Sequence, residues 1–425
     1  MYIRKITIKN IRSIEHFGMS FPAGEEAGWH VLIGDNGAGK STFVQAVALS
    51  LIGNKFGALR TRFEQWINKD AERASIGNIL AFNPEIDGQC QDQNADGEMR
   101  VSIGFDKNPE FSNVTVNAAG VFGVSENKDR GWFSCSFGAE RSFEGANDQY
   151  SQFFSTEPQM ERHLSTFEKG VALSKSLTWL DRLNYKKLES NKTDSDSAKI
   201  LKSIFALVNS DGFLPFGFKL RKITSEGIFF ESPKSDLIEI HELSDGYRSI
   251  LSMTLELIRL LEHSYGWENV FKDIQSGKST IPCEGVVLID EVDAHLHPTW
   301  QTRIGQWFTN YFPNIQFIVT THSPLVCRAA EKGSIWRLPQ PGTEEKAKEL
   351  KGEEKDQLIY GDVLDAYETD AFGEDIAMGE EGRRAQKRYR ALMYKKDYGV
   401  EMTAEEKKEF NQLQKIFHTN VASEE

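Results

Sequence analysis

Residues 34–41 read GDNGAGKS, which fits G-x-x-x-x-G-K-[ST]. Each residue type in it has a physical use. Gly34, Gly37 and Gly39 let the backbone turn until successive N–H groups face one concavity. A helix beginning at Lys40 adds the positive end of its dipole at the same point. Lys40 then reaches the terminal phosphates of a nucleotide, and the Ser41 hydroxyl ligates Mg²⁺. The apolar run WHVLIG (29–34) precedes the stretch, and KSTFVQAVALSLI (40–52) follows it. A phosphate loop needs that strand-before, helix-after context; a glycine-rich turn with no ligand is the alternative.

Three other stretches carry chemistry. In LIDEVDAHLHPTWQ (288–301) an apolar run ends in Asp290 and Glu291. Beside a phosphate loop, Asp290 orients Mg²⁺ and Glu291 polarises a water for attack on a γ-phosphate. Read alone, the two acids simply end a strand. ELSDGYRS (242–249) opens a helix. Its Ser and Gly offer hydroxyl and N–H donors to a phosphate, or serve as an ordinary helix cap. VTTHSP (319–324) sets His322 just past a strand. There an imidazole contacts a γ-phosphate, or is an ordinary loop histidine. His295 and His297 form H-x-H near Asp293, and those types suit Zn or Mn. Residues two apart on a helix do not share a face, which favours a structural or contact role instead.

The elements that must position these groups are legible in outline. Residues 2–9 and 16–21 alternate as two strands of an opening hairpin-like unit, 29–34 is a short buried strand, and 40–52 is a helix with one apolar face. From about 55 to 235 the signal is mixed. Stretches 86–97, 112–130 and 142–149 read as loops and strand connections, while 165–188 and 195–209 read as helices. Residues 243–263 form an apolar-periodic helix, and 285–290 and 315–321 are strands with a helix between them. EEKAKELKGEEKDQ (344–357) reads as a solvated linker, and the tail beyond it as helical and polar.

Bulk properties narrow the classes. The chain has 425 residues, 39% hydrophobic and 27% charged, enough apolar material for a real core. A net charge of −13 argues against gripping nucleic acid with the whole surface, though not against a local basic groove. The four cysteines are far apart and make no CxxC pair, which fits a reducing cytosol. No apolar run approaches the roughly 18–20 residues of a membrane span. The expected location is the cytoplasm.

Taken in order, phosphate loop, Ser-Gly helix start, acidic strand and histidine resemble the ABC-type ATPases. ITIKNIRSI (6–14) looks like the N-terminal strands of the SMC, Rad50 and RecF group, and Arg12 matches an arginine near the nucleotide there. LSDGYRS is similar to that group's signature. DEVDAHLHPTWQ and VTTHSP look like OLD-type and Septu-type bacterial ATPases, as does SFGAER (136–141). VLDAYETDAFGED (363–375) and MTAEEKKEFNQLQ (402–414) look like the helical tail of Septu-type subunits.

The resemblance implies an α/β fold, an ABC-type P-loop NTPase head with a mixed α/β and helical insertion and a helical C-terminal tail. The head comprises 1–55 and 236–340, the inserted lobe 56–235, and a charged linker with a helical partner-binding region 341–425. It further implies that two heads meet head to tail around ATP and Mg²⁺. Asn36, Gly37, Gly39, Lys40, Ser41, Thr42 and Arg12 bind nucleotide in cis; Ser41 and Asp290 hold Mg²⁺. Glu291 is the catalytic base, and His322 senses the γ-phosphate. Ser244 and Gly246 cap the partner's ATP, and Asp293 falls in the segment that crosses the dimer. The glutamine loop of the family has no counterpart legible between 60 and 235.

No nuclease signature is present: no HNH-like Cys/His cluster, and no acidic Toprim pattern after His322. Septu-type ATPases act with a separate nuclease subunit, so the expected function is nucleotide-driven control of an HNH-type nuclease partner in antiviral defence. A DNA-repair clamp and a nucleotide-bound scaffold are the competing readings. GRRAQKRYRALMYKK (382–396), with Tyr389 and Tyr394 among seven cations, is the candidate contact for DNA, RNA or an acidic partner, or else a solvated helix face.

Overall fold

The computed structural model describes residues 1–52, 59, 63–83, 87, 98–107, 114–119, 133–140, 158–168, 175–190, 195–214, 217–232, 235–343, 345–361, 380–397 and 400–417. They fall into two compact units, Met1–Gly361 and Asp362–Glu425. The class is the expected α/β.

In the first unit, β1 (Tyr2–Ile11) and β2 (Ile14–Ser20) pair antiparallel, as the alternating pattern predicts. The inward register of β1 slips between Ile3 and Ile6 and again between Ile8 and Ile11. A bulge opposite the neighbouring strand absorbs the extra residue at the first of these. The buried Gln316 amide accepts from the Ile3 N–H at 2.7 Å and donates to the Ile3 carbonyl at 3.0 Å there, which ties β1 to a strand of the other sheet. With β3 (Gly28–Ile33) lying elsewhere, β4 (Arg73–Ala81), β5 (Glu98–Lys107) and β6 (Val114–Ala119) complete an antiparallel sheet in the order β2-β1-β4-β5-β6. β6 lies within a stretch expected to be loops and connections. It is recruited by pairing with β5 rather than by a strong pattern of its own.

The second sheet holds β3, β7 (Ser134–Phe137), β11 (Gly285–Ile289), β12 (Ile315–Thr321), β13 (Ile335–Arg337) and β14 (Lys348–Leu350). A small antiparallel sheet of β8 (Lys219–Thr224), β9 (Gly227–Ser232) and β10 (Ser235–Glu239) stands apart. The order of the six is β14-β13-β3-β12-β11-β7, all parallel except the β13–β14 pair. Every residue of β3, β11 and β12 is buried. Such unbroken apolar runs are what a parallel sheet covered on both faces requires. β14 corrects the reading of 344–357 as a linker. Leu350 is buried at the end of β14, and Leu358 and Ile359 anchor the following helix, so three apolar residues suffice to pin a charged segment.

Helix α1 (Lys40–Ile52) lies between the two sheets. One core joins Phe43, Val44, Val47 and Leu51 to Ile8, Phe17, Ile76 and Phe105 on one side and to Leu32, Val286, Leu288 and Ile318 on the other. The sequence suggests one apolar face; the helix is instead apolar nearly all round, because both of its sides are covered. Each such side chain contributes roughly 1.5–3 kcal/mol through burial. The remaining long helices are α2 (Lys175–Ser190), α3 (Asp196–Val208), α4 (Asp245–Tyr265), α5 (Ile304–Tyr311) and α6 (Glu353–Tyr360). Of the helix expected over 165–188, Lys175–Ser190 is described as helical and Leu164–Thr166 is a 3₁₀ turn, while 169–174 lie outside the described residues. Ser195 caps α3, accepting from the Ala198 N–H. Among the described residues no helix is long and apolar enough to cross a membrane.

The second unit contains α7 (Glu380–Asp397) and α8 (Ala404–Phe417), the helical tail expected from composition. Tyr389, Leu392 and Phe410 form its small core, with Tyr389 stacked on Phe410 at 5.5 Å. Arg388 pairs with Glu409, Lys395 with Glu406, and Lys396 lies over the Phe410 ring. Part of the basic stretch is therefore spent on the hairpin, and the buried Tyr389 does not offer a face to a base. Residues 363–375, compared above with the Septu-type tail, lie outside the described residues.

One buried group makes the fold sensitive to acid. His30 donates from Nε2 to the Glu26 carbonyl at 2.8 Å, so Nδ1 accepts from Ser334 Oγ at 3.0 Å. Burial holds its pKa down to about 4. The unfolded chain takes up this proton near pH 6.5 and the folded one only near pH 4. Stability therefore falls as pH drops through that window, by about 3 kcal/mol for this residue. Denaturant titrations from pH 7 to 4 should show the fall, and His30→Gln should reduce its slope by up to one proton.

Candidate functional site

The strand order decides what meets. β12 lies directly between β3 and β11 and runs parallel to both. The loop after β3, the acids after β11 and the histidine after β12 thus leave the same edge of the sheet, where ligands bind in open α/β sheets.

After Ile33 the chain turns through Gly34–Gly39 into α1. Gly37 and Gly39 have φ of 82° and 103°, a region side chains rarely enter. At Gly39 a Cβ would lie 2.9 Å from both Ser13 Oγ and Ile14 Cγ1. The β1–β2 turn is therefore packed against the loop. Asn36 and Gly37 are exposed at the loop's tip; Ser41 is exposed and Thr42 buried in the first turn of α1.

The Lys40 side chain is buried and folds back over the loop. Its ammonium donates to the Gly34 carbonyl at 2.6 Å and the Asp35 carbonyl at 3.0 Å, and lies 3.4 Å from His322 Nδ1. Burial lowers its pKa, while Glu291, Asp290, Asp293 and Asp35 pull the other way. Burial, then Lys40, also lowers the His322 pKa against the same three acids of 290–293. A neutral imidazole accepting from Lys40 satisfies both groups. Lysine, histidine and acids from three separate strand ends thus share one electrostatic site.

Asp290 is buried, its N–H donating to the Phe137 carbonyl of β7 at 2.8 Å. Its carboxylate accepts from Thr320 Oγ1 at 2.6 Å, and the Glu291 N–H donates to that same oxygen at 2.8 Å. Glu291 has φ of 47°, uncommon for a residue with a side chain. Asp293 accepts from Thr321 Oγ1 at 2.6 Å, and the Ser323 N–H donates to that hydroxyl at 2.9 Å. The segment around Asp293 is thereby tied to the backbone on either side of His322.

Ser244 precedes α4 and is exposed; its hydroxyl makes no capping bond, so the simple capping role is not taken up. Gly246 faces the segment that follows the acids: a Cβ there would lie 3.5 Å from the His295 carbonyl oxygen. His295 has φ of 64°, and His297 caps the short helix Pro298–Gln301, its Nδ1 accepting from the Thr299 N–H at 3.3 Å. Arg12 sits on the turn beside Gly39. Its guanidinium donates to Gln45 at 2.8 Å and lies 4.9 Å from the Trp66 ring centre. Gln45 in turn donates to the Thr166 carbonyl. Arg141, the end of SFGAER, lies outside the described residues.

Sequence reasoning missed Thr320, Thr321 and Gln45. The two threonines were visible in VTTHSP, but nothing in a linear motif says which acids their hydroxyls reach. Gln45 lies one turn beyond Lys40, hidden among apolar residues. Chemically, the arrangement is a glycine-rich turn at a helix start, with a buried cation folded over it and carboxylates from the neighbouring strand end acting on that cation.

Residues 106–328, more than half of the chain, match the family described as "AAA domain, putative AbiEii toxin, Type IV TA system". The chain belongs to this family. The matched span holds Ser244, Asp290, Glu291 and His322 and begins after the phosphate loop. Among curated relatives, the Septu protein PtuA of Bacillus mycoides (strain KBAB4) is 25% identical over 341 residues, 79% of this chain and 40% of that protein. The Septu protein PtuA of Bacillus thuringiensis is 24% identical over 355 residues, 78% of this chain and 74% of that protein. The "Retron Ec83 probable ATPase" of Escherichia coli is 36% identical over 129 residues, 30% of this chain and 22% of that protein. The chain spans less than half the length of the first of these. The likeness to Septu-type ATPases drawn from the motifs is borne out.

Gly39→Ala tests how closely the loop is built. With positive φ and two contacts at 2.9 Å, it should lose about 1–3 kcal/mol. A thermal melt against Gly24→Ala, whose Cβ would meet nothing within 4 Å at a comparable positive φ, separates crowding from backbone strain.

Proposed function

We propose that the chain is a Mg²⁺-dependent ATPase of a bacterial defence system that pairs head to tail and controls a separate nuclease subunit. The observation that carries the reading is the Lys40 ammonium, held by the loop's carbonyls and 3.4 Å from His322 Nδ1. Two carbonyls and an imidazole are contacts that phosphate oxygens can replace. The loop N–H groups and the start of α1 then hold the β- and γ-phosphates. Asn36, Gly37, Gly39 and Thr42 contribute as the loop's lining, and Arg12 stands at its side.

The residues fit Mg²⁺. Ser41 and Asp290 provide only oxygen donors, which suit a hard cation. When bound, that cation neutralises charge on the transferring phosphoryl group. Glu291 polarises the attacking water. The new P–O bond forms at the γ-phosphorus as the bond to the β–γ bridging oxygen breaks, leaving ADP and phosphate. His322 hydrogen-bonds the γ-phosphoryl oxygens through this change.

Pairing is supported by Ser244 and Gly246. The serine hydroxyl is exposed and does not cap its own helix, which leaves it to meet the γ-phosphate of a second copy. The nuclease partner rests on the resemblance to Septu-type subunits, and Lys387 and Arg390, exposed on α7, suit an acidic protein or nucleic acid.

Two measurements test this. Lys40→Ala should abolish ATP binding by equilibrium titration; unchanged affinity refutes the phosphate-loop assignment. Lys40→Ala and Ser244→Arg should each be inactive in hydrolysis, yet regain turnover when mixed, because a mixed pair contains one intact composite site. A mixture as inactive as its parts contradicts head-to-tail sharing.

A further inference from the structure

We propose that Thr320 is a positioning residue for the acid pair, one hydroxyl setting both the Asp290 carboxylate and the backbone that aims Glu291. The proposal rests on the reading of Asp290 and Glu291 as the hydrolytic acids.

A threonine hydroxyl has one hydrogen to donate and lone pairs to accept. The Glu291 N–H, 2.8 Å away, is only a donor, so the hydroxyl accepts there. Its single hydrogen therefore goes to Asp290 Oδ1 at 2.6 Å, in the short range of bonds to a charged acceptor. Thr320 is fully buried, so water does not substitute for either bond. The backbone of Thr320 acts on the same turn, its carbonyl accepting from the Val292 N–H at 2.9 Å. The N–H groups of 290, 291 and 292 thus all donate to fixed acceptors: Phe137 O, Thr320 Oγ1 and Thr320 O.

That restraint matters because Glu291 has φ of 47°. A side-chain-bearing residue persists in the left-handed region only where its surroundings over-determine it. Valine in place of Thr320 keeps the volume and branching but offers neither bond. The bonds from the Glu291 N–H and to Asp290 Oδ1 are then both lost, while the phosphate loop, built on β3 and α1, is untouched.

The test uses the full chain as wild type, Thr320→Val, Thr320→Ser and Lys40→Ala. Thr320→Val should bind a fluorescent ATP analogue in EDTA within threefold of wild type, while kcat falls at least tenfold. Its nucleotide complex should bind Mn²⁺, titrated by EPR, at least threefold more weakly. Thr320→Ser, which keeps the hydroxyl, should return both values to within threefold of wild type. If Thr320→Val does not fold, Thr320→Ala carries the same expectations. A kcat fall of less than tenfold, unchanged Mn²⁺ affinity, a Ser variant no better than Val, or lost binding in EDTA would each overturn the proposal. A wild type without turnover, matched by Lys40→Ala in every assay, would overturn the reading of the site itself, and this proposal with it.

Discussion

A buried ammonium must have its hydrogens accepted, and the way Lys40 meets that demand organises the rest. Two of its bonds close the loop that carries it, and its third neighbour is His322, from a strand almost three hundred residues later. Those positions meet only if β12 is the immediate parallel neighbour of β3. Lys40 also needs a fixed base. α1 supplies it by being buried between two sheets, so the lysine leaves a helix that has no freedom to shift without breaking the core.

The acids are held by a second set of bonds that starts from the same strand. Neighbouring threonines at the end of β12 serve two different acids, Thr320 on Asp290 and Thr321 on Asp293. Beyond Asp290 the backbone enters the left-handed region twice, at Glu291 and His295. Such conformations cost on the order of 1–2 kcal/mol each and are retained where the geometry is used. The second of them brings the His295 carbonyl against Gly246, so the acidic segment and the helix start at Ser244 are neighbours within one chain. The site and the surface proposed to meet a second copy are therefore built on one short stretch.

How much of this was legible follows from how local each feature is. GDNGAGKS, the strand ending in Asp290 and the strand before His322 were readable because motif, strand and turn are contiguous. That all three leave one edge is set by strand order, a property of parallel pairing between distant segments. β6 was lost because its pairing with β5, more than its pattern, makes it a strand. The segment 344–357 looked solvated because charge outnumbers its few anchors, yet Leu350, Leu358 and Ile359 are enough to fold it. The basic run 382–396 reads equally as a binding face and as a solvated helix face. Its partner acids Glu406 and Glu409 come from the next helix, and they take up part of it.

Glu291, held in its strained turn at the end of β11, is the residue proposed to activate the water that cleaves ATP. Single-turnover hydrolysis of γ-labelled ATP by Glu291→Gln measures it directly. The variant should bind ATP as tightly as wild type and leave the bound nucleotide uncleaved over many wild-type half-lives. Release of labelled phosphate at the wild-type rate would contradict it.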